Sequence, residues 1–185
     1  ATLADAGELR LAGVCLNPTR TGFLAALERM GGRVTVEERR DEGGEPVGTL
    51  VVRPAPLAAT TIRGDEVPSL IDELPLLACL AARADGTTEV RGAGELRVKE
   101  SDRIAAVVAN LRAIGVDAEE LPDGFVVTGT RRPLRGAVVT HGDHRLAMAF
   151  GVLGALPSSE IVMDDMDCVA VSYPRFWLDL AGIRR

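Results

Sequence analysis

The chain has 185 residues, 46% of them apolar and 26% charged, the balance of a globular domain with a sizeable core rather than of a disordered chain, a collagen or a coiled-coil rod. With 21 Lys plus Arg against 27 Asp plus Glu, the net charge is −6, which argues against a duplex nucleic-acid binder, and an aromatic content of 3% argues against a single-strand stacking platform. Every apolar run is broken by Arg, Asp, Glu or Gly well before the length of a membrane helix, so a soluble protein without membrane contact is expected.

In chain order, Leu9 to Leu16 reads as a strand, and Asn17-Pro18-Thr19 opens a helix that runs to Met30 and closes at Gly31-Gly32. Val34 and Val36 begin another strand, Asp41 to Pro46 is an exposed turn, and Gly48 to Arg53 and Thr60 to Arg63 are short strands. Ser69 to Ala84 reads as an apolar helix whose Pro75 implies a kink or a late start. Thr87 to Arg91 is a strand. In the helix from Ser101 to Ile114, Ile104, Val107, Val108, Leu111 and Ile114 share one face. Val116 to Glu120 and Phe125 to Thr128 form a hairpin about Pro122-Asp123-Gly124. Ala137 to Thr140 is a strand, Asp143 to Leu156 a helix, Glu160 to Met163 a strand and Pro174 to Ala181 a final helix. The segments Asp102 to Val107 and His144 to Ala149 echo one another, a sign of repeated units. Strands alternating with helices, plus hairpins, point to an α/β or α+β domain.

Cys15, Cys79 and Cys168 are odd in number and widely spaced, with no CxxC pair, and read as reduced, mostly buried thiols of a cytosolic protein. Ala1 to Asp5 lacks the basic and apolar regions of a signal peptide, so with Ala rather than Met first, the chain is expected to be processed or part of something longer.

The densest polar cluster is Arg97-Val98-Lys99-Glu100-Ser101-Asp102-Arg103, at an expected strand-to-helix junction where free backbone N–H groups attract anions. With Ser101 as N-cap, Arg103 falls in the first helical turn, where a cation opposes the helix dipole at a cost of about 0.3–1 kcal/mol. Arg145 repeats the anomaly after the expected N-cap Asp143. Two readings stand side by side: the arginines grip an anion beside the helix ends, or each pairs with a local carboxylate such as Glu100 or Asp143. Ser69-Leu70-Ile71-Asp72 has the spacing of a capping box, so sequence physics favours a structural role for Asp72. Glu100 beside Lys99 is either a proton-transfer pair or a solvated one. His141 and His144 lack a convincing third ligand, so no metal site is expected. No activated Ser or Cys motif, GxGxxG or GxxxxGK[ST] loop is present. What remains is a set of carboxylates, a lysine and two arginines, suited to acid–base work on a small anion.

Gly94 to Ile104, read GELRVKESDRI, and Gly142 to Met148, read GDHRLAM, resemble the two signature segments of the 5-enolpyruvylshikimate-3-phosphate synthase family, closest in wording to its glyphosate-tolerant bacterial branch. Asn17 to Gly22, Pro68 to Pro75 and Ser172 to Pro174 resemble that family in the same order. The resemblance implies an α+β fold of repeated βαβαββ units around a pseudo-threefold axis, with residues 1–185 making up most of one of two domains. It implies transfer of the enolpyruvyl group of phosphoenolpyruvate to the 5-hydroxyl of shikimate 3-phosphate, releasing phosphate, in the cytoplasm and without a cofactor. By the same resemblance Asp72 and Glu100 are the catalytic acid–base residues, with Asp72 taking the hydroxyl proton and Glu100 handling the proton at the methylene carbon. Lys99 contacts shikimate 3-phosphate, Arg103 and Arg145 hold phosphoenolpyruvate, and His144 helps orient the site. All these groups are then expected on one face, with helix N-termini pointing at it.

Two positions depart from the pattern: Val171 stands where some members carry a lysine, and Glu95 where some carry an asparagine. Either this branch makes those contacts differently, or binding is weaker. The partner implied is the N-terminal domain of the same enzyme, together with a short N-terminal stretch that completes this one. The rival readings are the related UDP-N-acetylglucosamine enolpyruvyl transferase and a non-catalytic domain that binds small anions.

Overall fold

A computed structural model describes residues 1–157 and 159–183. The chain winds through three related units. The central one is complete: β4 (Thr61–Ile62), α2 (Leu74–Ala81), β5 (Thr87–Val90), α3 (Arg103–Ala113), β6 (Asp117–Leu121) and β7 (Gly124–Thr128). Its sheet runs β4-β5-β7-β6, with β4 parallel to β5 and the other pairs antiparallel, so it is one βαβαββ unit. Before it, β1 (Leu9–Cys15), α1 (Gly22–Arg29), β2 (Arg33–Glu42) and β3 (Glu45–Arg53) repeat its last four elements, in the order β1-β3-β2. After it, β8 (Leu134–Val138), α4 (His144–Gly154), β9 (Ser159–Met163) and α5 (Phe176–Gly182) repeat its first four, with β8 parallel to β9. The α+β expectation is met.

The units correspond differently from the echo in the sequence. That echo pairs α3, the second helix of one unit, with α4, the first helix of the next. The likeness therefore marks two helix N-termini that meet in space rather than equivalent positions in a repeat.

Helix α2 is the centre of the core. Its Leu74, Leu77, Ala78, Cys79, Leu80 and Ala81 are all buried, as befits a helix apolar on every side. Against it lie the apolar face of α3 that the spacing predicts, from Ile104 to Ile114, and Leu146, Phe150 and Leu153 of α4. Close approach of backbone requires glycine at the edge of this core. A Cβ on Gly124 would sit 1.9 Å from the Val90 carbonyl oxygen across the β5–β7 pair. One on Gly22 would sit 2.0 Å from the Ser69 hydroxyl, where α1 begins against the segment leading to Asp72.

Several boundaries differ from the sequence reading. The helix expected from Ser69 is two 3₁₀ turns, Val67–Ser69 and Ile71–Glu73, before α2 starts at Leu74. Pro75 sits in the first turn of α2, where a missing N–H costs nothing, so the late start rather than the kink is correct. The helix expected from Asn17 likewise divides into a 3₁₀ turn, Pro18–Arg20, and α1. A 3₁₀ turn, Gly94–Val98, replaces the strand expected before Lys99. The thiols are unpaired but not mostly buried: Cys79 is, Cys15 is exposed and Cys168 is intermediate. Among the described residues no helix is long and apolar enough to cross a membrane.

Candidate active site

Helices α3 and α4 begin side by side. Asp102 caps α3, its Oδ1 accepting from the Ala105 N–H at 3.0 Å. Ser101 is therefore not the cap; its hydroxyl donates instead to Asp143 Oδ2 at 3.0 Å. Asp143 caps α4, as the sequence predicts, with Oδ1 accepting from the Arg145 N–H at 2.9 Å. The chain enters α4 through His141 and Gly142, both at positive φ. That turn is anchored by the buried Asn110 and by Asp164. Asn110 of α3 makes paired hydrogen bonds to the Val139 backbone, and the Thr140 N–H donates to Asp164.

Arg103, in the first turn of α3, has only 1% of its surface exposed. Its guanidinium is surrounded by carboxylates. Nε donates to Asp143 Oδ2 at 2.8 Å and Nη2 to Asp143 Oδ1 at 3.2 Å. Nη2 also donates to Glu100 Oε2 at 2.6 Å, and Nη1 to Asp72 Oδ1 at 3.3 Å. Arg145 reaches the same Asp72 from α4: Nη2 donates to Oδ2 at 3.0 Å and Nη1 to the Asp72 carbonyl oxygen at 3.2 Å. Asp72 thus bridges the two arginines, one oxygen to each, across 73 residues of sequence.

The capping-box reading of Asp72 is corrected. The Ser69 hydroxyl donates to the Glu66 carbonyl, no side chain caps the turn at Ile71–Glu73, and the Asp72 carboxylate faces the arginines. The local-carboxylate reading holds only in part: Arg103 pairs with the neighbouring Glu100 but also with Asp143, 40 residues away, while the Arg145 guanidinium pairs with Asp72 and Glu73 rather than with Asp143. Such pairing also makes the misplaced helix-terminal cation tolerable, because a buried guanidinium needs compensating charge.

The surroundings tune two more carboxyls. Burial alone would push Asp143 up, but the hydrogen bond and charge of Arg103, the Arg145 N–H and the Ser101 hydroxyl together hold it below the ordinary aspartate value. Glu73, whose Oε1 lies 3.6 Å from Arg145 Nη1, moves the other way, because burial and the neighbouring Asp72 charge outweigh that arginine.

Asp72, Glu100, Arg103 and Arg145 therefore form one connected cluster, while Lys99 stands outside it. Its ammonium donates to Glu95. His144 is the first residue of α4, between Asp143 and Arg145. Val171 ends a 3₁₀ turn with 84% of its surface exposed. A groove of about 440 Å³ opens beside Glu100, between the Ala105 and Ala109 face of α3 and His141. A larger hollow, near Arg83, Thr130 and Pro157, touches none of these residues. Among the described residues no three His, Cys, Asp or Glu side chains are grouped to hold a metal ion. Sequence reasoning missed Ser101 as a member of the cluster. It read Asp143 as a cap and as a partner of a local arginine, whereas its partner is Arg103, 40 residues away.

Comparison with known proteins gives the family. The profile of EPSP synthase (3-phosphoshikimate 1-carboxyvinyltransferase) matches residues 1–180. A 3-phosphoshikimate 1-carboxyvinyltransferase of Aquifex aeolicus is 52% identical over 184 residues, 99% of this chain and 43% of that protein. One of Roseiflexus castenholzii is 50% identical over 185 residues, again 43% of its length. The chain thus spans under half the length of these relatives. The structure of EPSP synthase from Acinetobacter baumannii superposes with a TM-score of 0.92 at 36% identity, covering 100% of this chain and 43% of that one. The enolpyruvyl transferase NikO from Streptomyces tendae, at 22% identity and a TM-score of 0.66 over 97% of this chain and 39% of its own, shares the fold. With the family profile matching residues 1–180 and the fold shared with enolpyruvyl transferases, this chain belongs to the EPSP synthase family.

Proposed function

We propose that this chain is most of one domain of a cytoplasmic two-domain enzyme that transfers the enolpyruvyl group of phosphoenolpyruvate to the 5-hydroxyl of shikimate 3-phosphate. The single observation that carries the reading is the shared carboxylate. Asp72 joins Arg103 to Arg145 with Glu100 alongside, so two fixed cations and two half-exposed carboxylates occupy one surface. An incoming phosphoenolpyruvate anion replaces the contacts that Asp72 and Glu100 make to the arginines. The exchange frees both carboxylates for proton transfer at the place where the anion is held.

In the reaction so read, the 5-hydroxyl oxygen bonds to C2 of phosphoenolpyruvate as Asp72 accepts the hydroxyl proton. Glu100, released from Arg103, takes a proton from solvent and delivers it to C3 as the C2–C3 double-bond electrons move to that carbon, giving a tetrahedral adduct. Loss of a C3 proton back to Glu100 then reforms the double bond as the C2–O bond to phosphate breaks, and Asp72 passes its proton to the departing phosphate. Arg103 and Arg145 hold the anion, and Lys99 turns from Glu95 to shikimate 3-phosphate. His144, beside Arg145, helps orient the anion.

Internal comparison supports an unfinished third unit. Strands β1 and β5 each have an antiparallel neighbour, β3 and β7, whereas among the described residues β9 pairs only with β8. In this reading the rest of the full-length protein supplies that neighbour, as well as the second domain facing Asp72 and Glu100.

The test is phosphate release by the full-length protein with phosphoenolpyruvate and either acceptor. Turnover with shikimate 3-phosphate and none with UDP-N-acetylglucosamine is expected. The reverse preference, or binding without turnover, overturns the reading.

A further inference from the structure

Asp143 has no exposed surface, and both oxygens of its carboxylate are occupied by protein donors. Oδ1 accepts from Arg103 Nη2 and the Arg145 N–H; Oδ2 accepts from Arg103 Nε and the Ser101 hydroxyl. It therefore has neither the access nor a spare lone pair for substrate. What it joins matters more: the head of a side chain from α3, the first turn of α4, and the loop that carries Glu100. Its grip on the Nε edge of Arg103 leaves Nη1 and Nη2 turned toward Asp72 and Glu100.

The carboxylates around Arg103 thus divide into two kinds. Glu100 has 54% and Asp72 35% of its side chain exposed, and an arriving anion can displace them. Asp143 cannot be displaced, because leaving would strand a buried charge and uncap α4. We propose that Asp143 is a positioning residue, which holds Arg103 and Arg145 in the relative geometry that lets both grip one phosphoenolpyruvate anion. This inference rests on the function proposed above.

Two effects of removing its charge have opposite signs, which makes the idea testable. Coulomb attraction alone predicts that loss of a carboxylate beside Arg103 tightens anion binding. Positioning predicts weaker binding, because a guanidinium released from its Nε edge collapses onto Glu100 and Asp72, already 2.6 and 3.3 Å away.

In the full-length protein, Asp143→Asn keeps a cap oxygen for the Arg145 N–H while removing the bidentate ion pair. The KM for phosphoenolpyruvate is expected to rise at least tenfold, with the KM for shikimate 3-phosphate changing less than twofold. A purely structural role would lower the thermal midpoint and the amount of active enzyme without splitting the two KM values. Ser101→Ala, which removes one uncharged hydrogen bond to Asp143, is expected to raise the KM for phosphoenolpyruvate two- to fivefold, and it decides the matter should Asp143→Asn fail to fold. An unchanged or lower KM for phosphoenolpyruvate in a folded Asp143→Asn protein overturns the inference, as does an unchanged value in Ser101→Ala where that variant decides. No turnover by the unsubstituted full-length protein overturns the functional reading, and this inference with it. Normal turnover there, with an unaffected variant, overturns this inference alone.

Discussion

The 185-residue chain by itself is expected to fold yet to release phosphate from phosphoenolpyruvate and shikimate 3-phosphate at least 10⁵-fold more slowly than the full-length protein, taking orientation as worth about 7–11 kcal/mol of the barrier. Folding follows from the core: α2 is enclosed by α3, α4 and the sheets within this chain alone. Catalysis fails for a reason visible at the cluster. Glu100 and Asp72 are half open to solvent, and Arg145 keeps 30% of its side chain exposed, so nothing here excludes water or fixes the acceptor hydroxyl over the carboxylate. Circular dichroism with a cooperative thermal transition, measured beside the phosphate assay, separates a folded inactive chain from an unfolded one. Turnover by the chain alone approaching that of the full-length protein would show the rest of that protein to be dispensable.

Glu100→Gln in the full-length protein is expected to lower turnover by about 10²–10⁴, the usual contribution of a positioned acid–base group. The amide keeps the shape but cannot carry the proton to and from C3. Its effect on affinity has the opposite sign. In the proposed reaction Glu100 competes with phosphoenolpyruvate for Arg103 through its 2.6 Å contact, and glutamine weakens that competitor. Asp143 still holds the guanidinium in place. The KM for phosphoenolpyruvate should therefore stay constant or fall while kcat collapses, a split that steady-state kinetics reads directly. An unchanged kcat would remove Glu100 from the chemistry.

Much of this was legible in the sequence, and the failures have physical causes. The α3 stripe from Ile104 to Ile114 and the hairpin about Pro122 to Gly124 are local patterns, and local patterns survive folding. The first-turn arginines were also legible, because a cation at a helix N-terminus demands a compensating partner. Asp72 was misread since its capping-box spacing is a local signal, whereas its partners Arg103 and Arg145 come from helices distant in sequence. Asp143 was read as a cap and as a local ion-pair partner for the same reason: its cap obeys the local rule, while its bond to Arg103 exists only once α3 and α4 are packed. The helix expected from Ser69 fails because Pro75 lacks the backbone donor that a helix continuous from Ser69 would need, so the chain spends that stretch in two 3₁₀ turns. Those turns are what present Asp72 sideways to the arginines rather than along a helix axis.

The claim that Arg103 and Arg145 hold a single anion between them is tested most directly by phosphoenolpyruvate affinity in Arg103→Ala, Arg145→Ala and the double variant of the full-length protein. Each charge-assisted contact is worth about 1.5–3 kcal/mol, so each single substitution should weaken binding at least tenfold. Because both arginines share Asp72, the double variant should lose markedly less than the product of the two single losses. Unchanged affinity in either single variant, or losses that simply multiply, would contradict a shared anion site.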